Sequence, residues 1–212
     1  MRAKPVNQKR SQDKRDRILN ALDTLLARKP FVEISIAELA KGAEVSPATI
    51  YQRFSNVEAL ASVLLELYFL KVEEWAKRPR RPTNLGDSTL FDLLVRVAGD
   101  AYDQVSQLGY VMRPAYLYSR QRPDLVGSEW SRLDQLAVAG FKSFLAERAA
   151  DIKVVNIDEA AELLANFFNL MLLGPLLHKN DSNWKTLEDR EKFAESLATM
   201  AYRYLVFQEQ EK

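Results

Sequence analysis

The chain contains no cysteine, a single histidine and no uninterrupted apolar run of membrane-spanning length among its 212 residues. Without thiols there is neither a disulfide framework nor a thiolate metal site. One histidine with no paired ligand motif argues against a zinc centre as well. The longest apolar stretch, Leu163 to Leu177, is interrupted by Asn166 and Asn169 and carries Pro175. It falls short of the roughly 20 residues a spanning helix needs, so it reads as a core helix and no membrane partner is expected. The first residues lack the apolar segment of a secretory signal, which makes a reducing cytoplasm the expected location. Glycine-rich phosphate loops, a nucleophile elbow and a histidine placed to serve a serine are also missing. The chain is therefore expected not to be an enzyme and to need no cofactor. A small helical enzyme, or a helical interaction module without DNA affinity, stands as the alternative. Alternating runs of β-branched residues are absent too, and nearly every segment after residue 14 reads at helical period. The expected fold is all-α.

What is present is an ordinary globular composition, 47 % hydrophobic and 28 % charged, with a net charge of +1. That small charge is unevenly spread. Residues 1–17 hold seven basic side chains against Asp13 and Asp16, a net of +5, so the remainder sums to −4. A basic arm on an acidic body suits an approach to phosphate by one end only.

Ile18, Leu19, Leu22, Leu25 and Leu26 form one apolar stripe that Pro30 terminates, which predicts a first helix over about 13–29. Ser35-Ile36-Ala37-Glu38 is a capping box opening a second helix at Ile36 that runs to Gly42 or Ala43. Ser46-Pro47 repeats the start signal, a serine cap followed by proline at the first helical position, for a short third helix to Arg53 or Phe54. Asn56 is expected to cap a fourth, with Leu60, Val63, Leu64, Leu67, Leu70 and Trp75 inward, ending before Pro79. Residues 78–87, with two prolines and a glycine, read as a joint. Beyond it, helices are expected near 88–108, 110–121, 123–149, 157–178 and 185–208.

Two short helices joined by a tight turn, the second starting at a proline, have the spacing of a DNA-reading helix-turn-helix. Ile36, Leu39, Ala40, Val45, Ile50 and Phe54 would point into a small core. Pro47, Ala48, Thr49, Gln52 and Arg53 would then project outward, small or hydrogen-bonding groups suited to base edges and phosphates. Glu44 occupies the turn, where a left-handed backbone costs a non-glycine residue about 1 kcal/mol.

The strings Ile36-Ala37-Glu38-Leu39-Ala40, Ala43-Glu44-Val45-Ser46, Thr49-Ile50-Tyr51-Gln52-Arg53-Phe54 and Glu58-Ala59-Leu60 resemble the N-terminal domain of the TetR family of transcriptional regulators, over about residues 13–75. The resemblance implies a recognition helix at 47–53 with Thr49 and Tyr51 on phosphates. Ser46, Pro47, Ala48, Gln52 and Arg53 would meet bases or backbone. Ser35 would touch phosphate from the second helix, and Lys14, Arg15 or Arg17 from the first. Where many members carry glycine, histidine and lysine, this chain has Ala48, Arg53 and Val57. Losing that lysine removes one phosphate contact, which Arg53 and the basic arm could replace. The implied organisation is a DNA-binding domain over 1–56 and a ligand-binding and dimerisation domain over 57–212, with helix 57–77 connecting them.

In that second body, helix 157–178 is apolar around much of its circumference, with small Ala161, Ala165 and Gly174 allowing close approach. Helix 185–208 carries Phe193, Leu197, Met200, Ala201, Tyr204 and Leu205 at heptad-like spacing. Two such helices from each of two copies would build a four-helix homodimer interface. A two-fold dimer suits a palindromic operator, and repression relieved by a small molecule is the expected mode. Tyr102, Arg113, Tyr116, Trp130, Phe141 and Phe168 are the candidate lining of a pocket for an apolar or aromatic effector. Plain core is the competing reading of each aromatic, and Arg113 matters only if buried. His178 reads as the C-terminal cap of its helix.

Overall fold

The computed structural model describes residues 5–54, 58–78, 88–126, 128–178 and 189–207, with side chains from residue 10 onward and residue 175 excepted. Among these residues are eight α-helices, three short 3-10 turns and no strand. The expected all-α class is borne out. By packing, the chain divides into two units: residues 1–78 with 110–127, and residues 79–109 with 128–212.

In the first unit, helix α1 (Pro5–Leu26) begins well before the expected residue 13. Its opening turns carry no apolar stripe, so hydrophobic period could not detect them. Proline at the first helical position was the available signal. Residues 10–12 are exposed, and Gln12 donates to Asp16 one turn on at 3.1 Å. At the other end the helix stops at Leu26, and the amides of Arg28 and Lys29 close a turn on the Leu25 carbonyl. Ile18, Leu19 and Leu22 are fully buried. Helix α2 (Ile36–Gly42) packs on α1. A Cβ at Gly42 would lie 3.3 Å from that of Ala21, so glycine permits the close approach. Helices α3 (Pro47–Arg53) and α4 (Ala59–Ala76) follow. Asn56, the expected cap of α4, lies outside the described residues, and Glu58 occupies the N-cap position instead. Helix α4 buries Val63, Leu64 and Leu67 as expected, but also Ala61, Leu65, Tyr68 and Phe69. Leu60, Leu70 and Trp75 are only half-buried.

Helix α5 (Leu90–Gln121) replaces the two helices expected on either side of Gly109. Neither Gly109 nor Pro114 breaks it, and it contributes to both units. Its second half, in the first unit, buries Val111 and Ala115. Tyr110 donates to Asp23 of α1 at 2.5 Å, and Lys71 of α4 donates to the same carboxylate at 2.5 Å. Tyr118 and Arg122 both engage Glu58. Pro123 opens a 3-10 turn, not a long helix.

The second unit contains the first half of α5, α6 (Glu129–Glu147), α7 (Ile157–Leu177) and α8 (Arg190–Val206). The stretch expected to start at 123 becomes helical only at 129. Asn156 caps α7 and Asp189 caps α8, each side chain accepting from two backbone amides. The expected start at 185 and the polar stretch 180–183 lie outside the described residues. The core of this unit is built from Leu94, Leu145, Leu164, Phe168, Phe193, Leu197 and Leu205. Arg190 makes a two-pronged pair with Asp103 at 2.7 and 2.8 Å.

Candidate nucleic-acid interface

The turn between α2 and α3 is a Schellman motif. The Val45 amide donates to the Ala40 carbonyl at 3.0 Å and the Glu44 amide to the Lys41 carbonyl at 3.2 Å. Glu44 sits at the left-handed position with φ of 53°, the conformation expected of it. Upstream, Ser35 Oγ accepts from the Glu38 amide at 3.2 Å, and Glu38 accepts from the Ser35 amide at 3.0 Å, completing the capping box. Lys29 donates to the same carboxylate at 2.6 Å. These bonds hold the Glu38 carboxyl down at about 2 from its ordinary 4.5: the Lys29 bond first, then the Ser35 amide and hydroxyl. Downstream, Ser46 Oγ accepts from the Thr49 amide at 3.2 Å and lies 3.0 Å from the Thr49 hydroxyl. Whichever hydroxyl donates to the other, one O–H remains available.

With both ends fixed, α3 turns Ile50 fully inward and leaves its other sides outward. Leu39, Ala40 and Phe54 are buried with Ile50. Ile36 and Val45, also expected inward, are half-buried. Pro47, Ala48 and Gln52 are exposed, Thr49 and Arg53 half-buried, and Tyr51 shows 48 % of its surface. The outward polar face read in the sequence is therefore assembled on one short helix.

Several expected phosphate-binding cations are occupied within the chain. Arg15 pairs with Glu66 of α4 and with Asp16. Arg17 reaches the Glu44 carbonyl at 3.4 Å and its carboxylate at 3.8 Å. Arg53 donates to the Ser11 carbonyl at 3.0 Å and hydroxyl at 2.8 Å. Lys14 is exposed. Val57 lies outside the described residues. The partners that Ser11, Glu58, Glu66 and Tyr110 find were not legible in the sequence, because each is remote in the chain.

The six candidate effector-binding residues do not fall in one unit. Tyr102, Trp130, Phe141 and Phe168 belong to the second, where Phe141 and Phe168 meet edge to face at 5.0 Å and Tyr102 lies 5.3 Å from Phe193. Arg113 and Tyr116 belong to the first. Arg113 is exposed, and the Arg120 guanidinium lies over the Tyr116 ring at 5.2 Å. A recess of about 820 Å³ in the second unit is lined by Lys153, Val154, Arg203, Tyr204 and Phe207, none of the six. His178 is the C-cap residue of α7, its amide donating to the Gly174 carbonyl.

A capped short helix held outward behind a tight turn, on a platform of two longer helices, defines a helix-turn-helix DNA-binding head. Residues 18–64 match the family model described as bacterial regulatory proteins, tetR family. No curated protein matches the chain. A solved structure from Rhodococcus sp., assigned as a TetR-family transcriptional regulator, aligns with a TM-score of 0.60 over 89 % of this chain and 98 % of that one. At 15 % identity that likeness speaks to the fold. No helix among the described residues is long and apolar enough to cross a membrane.

Proposed function

We propose that the chain is a cytoplasmic, homodimeric repressor that binds a palindromic operator and releases it when a small apolar or aromatic molecule binds. The observation that carries this reading is the outward face of α3, where Pro47, Ala48, Tyr51 and Gln52 are exposed while Ile50 is fully buried. Small and amide side chains there suit major-groove base edges. Tyr51 and the one free hydroxyl of the Ser46–Thr49 pair can donate to phosphates, while the Ser35 hydroxyl is given to Glu38. Residues 1–56 supply the DNA contacts and residues 57–212 the dimer and effector functions, with helix 57–77 linking them. Two heads related by a two-fold axis read half-sites roughly 34–36 Å apart. An effector that fits one arrangement of the helical body better than the other shifts the population toward it and changes the spacing of the heads.

The test is selection from a random-sequence duplex pool by the full-length protein, followed by gel shift on the recovered duplex and on the upstream region of its own gene. Tyr51→Ala should abolish binding at moderate salt and leave a folded dimer. Recovery of no duplex by the wild-type protein, or wild-type affinity in Tyr51→Ala, overturns the assignment. A thermal-shift screen of small aromatic and apolar compounds, repeated on the gel shift, tests release.

A further inference from the structure

Helix α8 ends in a turn whose side chains its own unit does not use up. Leu205 is fully buried, but Arg203, Tyr204 and Phe207 are exposed, Phe207 to 73 %. After Val206 the backbone leaves the helix: Phe207 is extended, and its amide closes the last turn on the Arg203 carbonyl at 2.9 Å. The Lys153 amide donates to the Leu205 carbonyl at 2.8 Å, which ties the segment between α6 and α7 to the end of α8. On that segment Ile152 and Val154 pack against the core of the unit, while Lys153 and Val155 stay exposed. The recess of about 820 Å³ lies where the segment and the helix end meet. Its floor is therefore anchored to buried structure and its rim is open.

The lining sorts by chemistry. Val154, Tyr204 and Phe207 supply an apolar and aromatic wall, Lys153 and Arg203 supply positive charge, and no carboxylate is among the lining residues. The Arg203 side chain makes no hydrogen bond or ion pair among the described residues. A cation in the last turn also complements the negative end of the helix dipole. That role requires neither a fork of donors nor exposed rings beside it. Rings left in water next to a guanidinium fit a flat apolar body with one anionic end, taken by two parallel N–H bonds. The volume falls within the roughly 300–1,000 Å³ of small-molecule sites.

We infer that this recess binds an aromatic monoanion, its ring on Phe207 with Tyr204 as the side wall, its charge on the Arg203 guanidinium and Lys153 at the rim. The site shares no residue with the six candidates for effector lining, and it does not depend on the DNA-binding reading.

The experiment titrates the full-length protein with anilinonaphthalene sulfonate, whose fluorescence rises on leaving water, and with its uncharged parent phenylnaphthylamine. Arg203→Lys keeps a charge at the helix end but loses the fork. It should weaken the sulfonate probe about tenfold, the loss of one bond to a charged group, and leave the uncharged probe and the thermal midpoint unchanged. Phe207→Ala should weaken both probes. Wild-type affinity for the sulfonate probe in a protein carrying both substitutions places its site elsewhere and overturns the inference. So does an affinity that falls as protein concentration rises, the mark of a second copy covering the recess. Glu209 and Glu211 follow Phe207 in the sequence. Binding seen only after Glu209→Gln with Glu211→Gln would show the chain's own carboxylates filling the recess, and would overturn the inference as well.

Discussion

Glu38 takes hydrogen bonds from the Lys29 ammonium and from the amide and hydroxyl of Ser35, with distances of 2.6, 3.0 and 2.9 Å. All three donors favour the ionised carboxylate, which is why its pKa falls to about 2. A carboxyl held below its ordinary 4.5 contributes stability that is fully present above that value and disappears as the pH falls through about 2. Wild-type protein should therefore lose more stability than Glu38→Gln between pH 5 and pH 2, and the gap between them should close at the acid end. Urea melts at stepped pH check this, and parallel curves would refute it. The capping box was legible in the sequence because its partners are three residues apart, and so was the left-handed Glu44, whose turn is closed by bonds spanning at most five residues. Arg15, Arg17 and Arg53 were not, since they engage Glu66, Glu44 and Ser11 across 51, 27 and 42 residues. A cation in a sequence announces its charge and its reach, but what it meets is set by packing.

Helix α5 shows the same limit at the scale of an element. Glycine in a helix costs about 1 kcal/mol and proline about 3, so Gly109 reads as a break, and Pro114 adds its own penalty inside the helix. The flanking side chains outweigh that penalty: Leu108, Val111 and Ala115 are at most 5 % exposed, and burial of a Val or Leu contributes about 1.5–3 kcal/mol. Tyr110 adds a bond that no local pattern could reveal, to Asp23 of α1, which also holds Lys71 of α4. Burial pulls the Lys71 ammonium down, yet the hydrogen bond and charge of Asp23 outweigh it and hold its pKa above the ordinary value. For Tyr110, burial and then the same carboxylate push the phenol up. The Lys71 ammonium therefore stays charged across neutral pH and gives up its proton only above the ordinary lysine value, so substitution is the sharper probe. Asp23→Ala should lower stability by about 1–2 kcal/mol, the lower part of the range for bonds to charged groups, because the Asp23 and Lys71 side chains are about a quarter exposed. In a double-mutant cycle by urea denaturation, Tyr110→Phe should cost little once Asp23 is gone. Fully additive losses would show that the carboxylate does not join α1, α4 and α5.

At the scale of the whole molecule, the question is what the apolar faces of α7 and α8 are for. Helix α7 buries Ala160, Ala161, Leu164, Ala165 and Phe168 within its own unit, yet leaves Leu163 at 50 % and Leu170 at 66 % exposure, two turns apart on another side. Helix α8, packed beside it, buries Phe193, Leu197, Ala201 and Leu205 and leaves Met200 and Tyr204 outward, one turn apart. The sequence showed that these helices were apolar on more than one side, but period alone does not tell which side a chain covers itself. The residual exposure on two neighbouring helices supports a second copy as the cover, as a four-helix interface requires. A two-fold axis uses each patch twice, so Leu170→Asp removes two leucines per dimer, about 3–6 kcal/mol of burial. That weakens association by roughly 10² to 10⁴-fold, before the penalty of placing two carboxylates in the interface. Sedimentation should show monomer at concentrations where the wild-type protein is dimeric. Because residue 170 contributes little to its own unit, the thermal midpoint of the monomer should stay close to that of wild-type protein diluted below its own dissociation constant. Operator binding should fall with dimerisation, since a single head retains only one half-site. A Leu170→Asp protein that remains dimeric would place the interface elsewhere on the molecule.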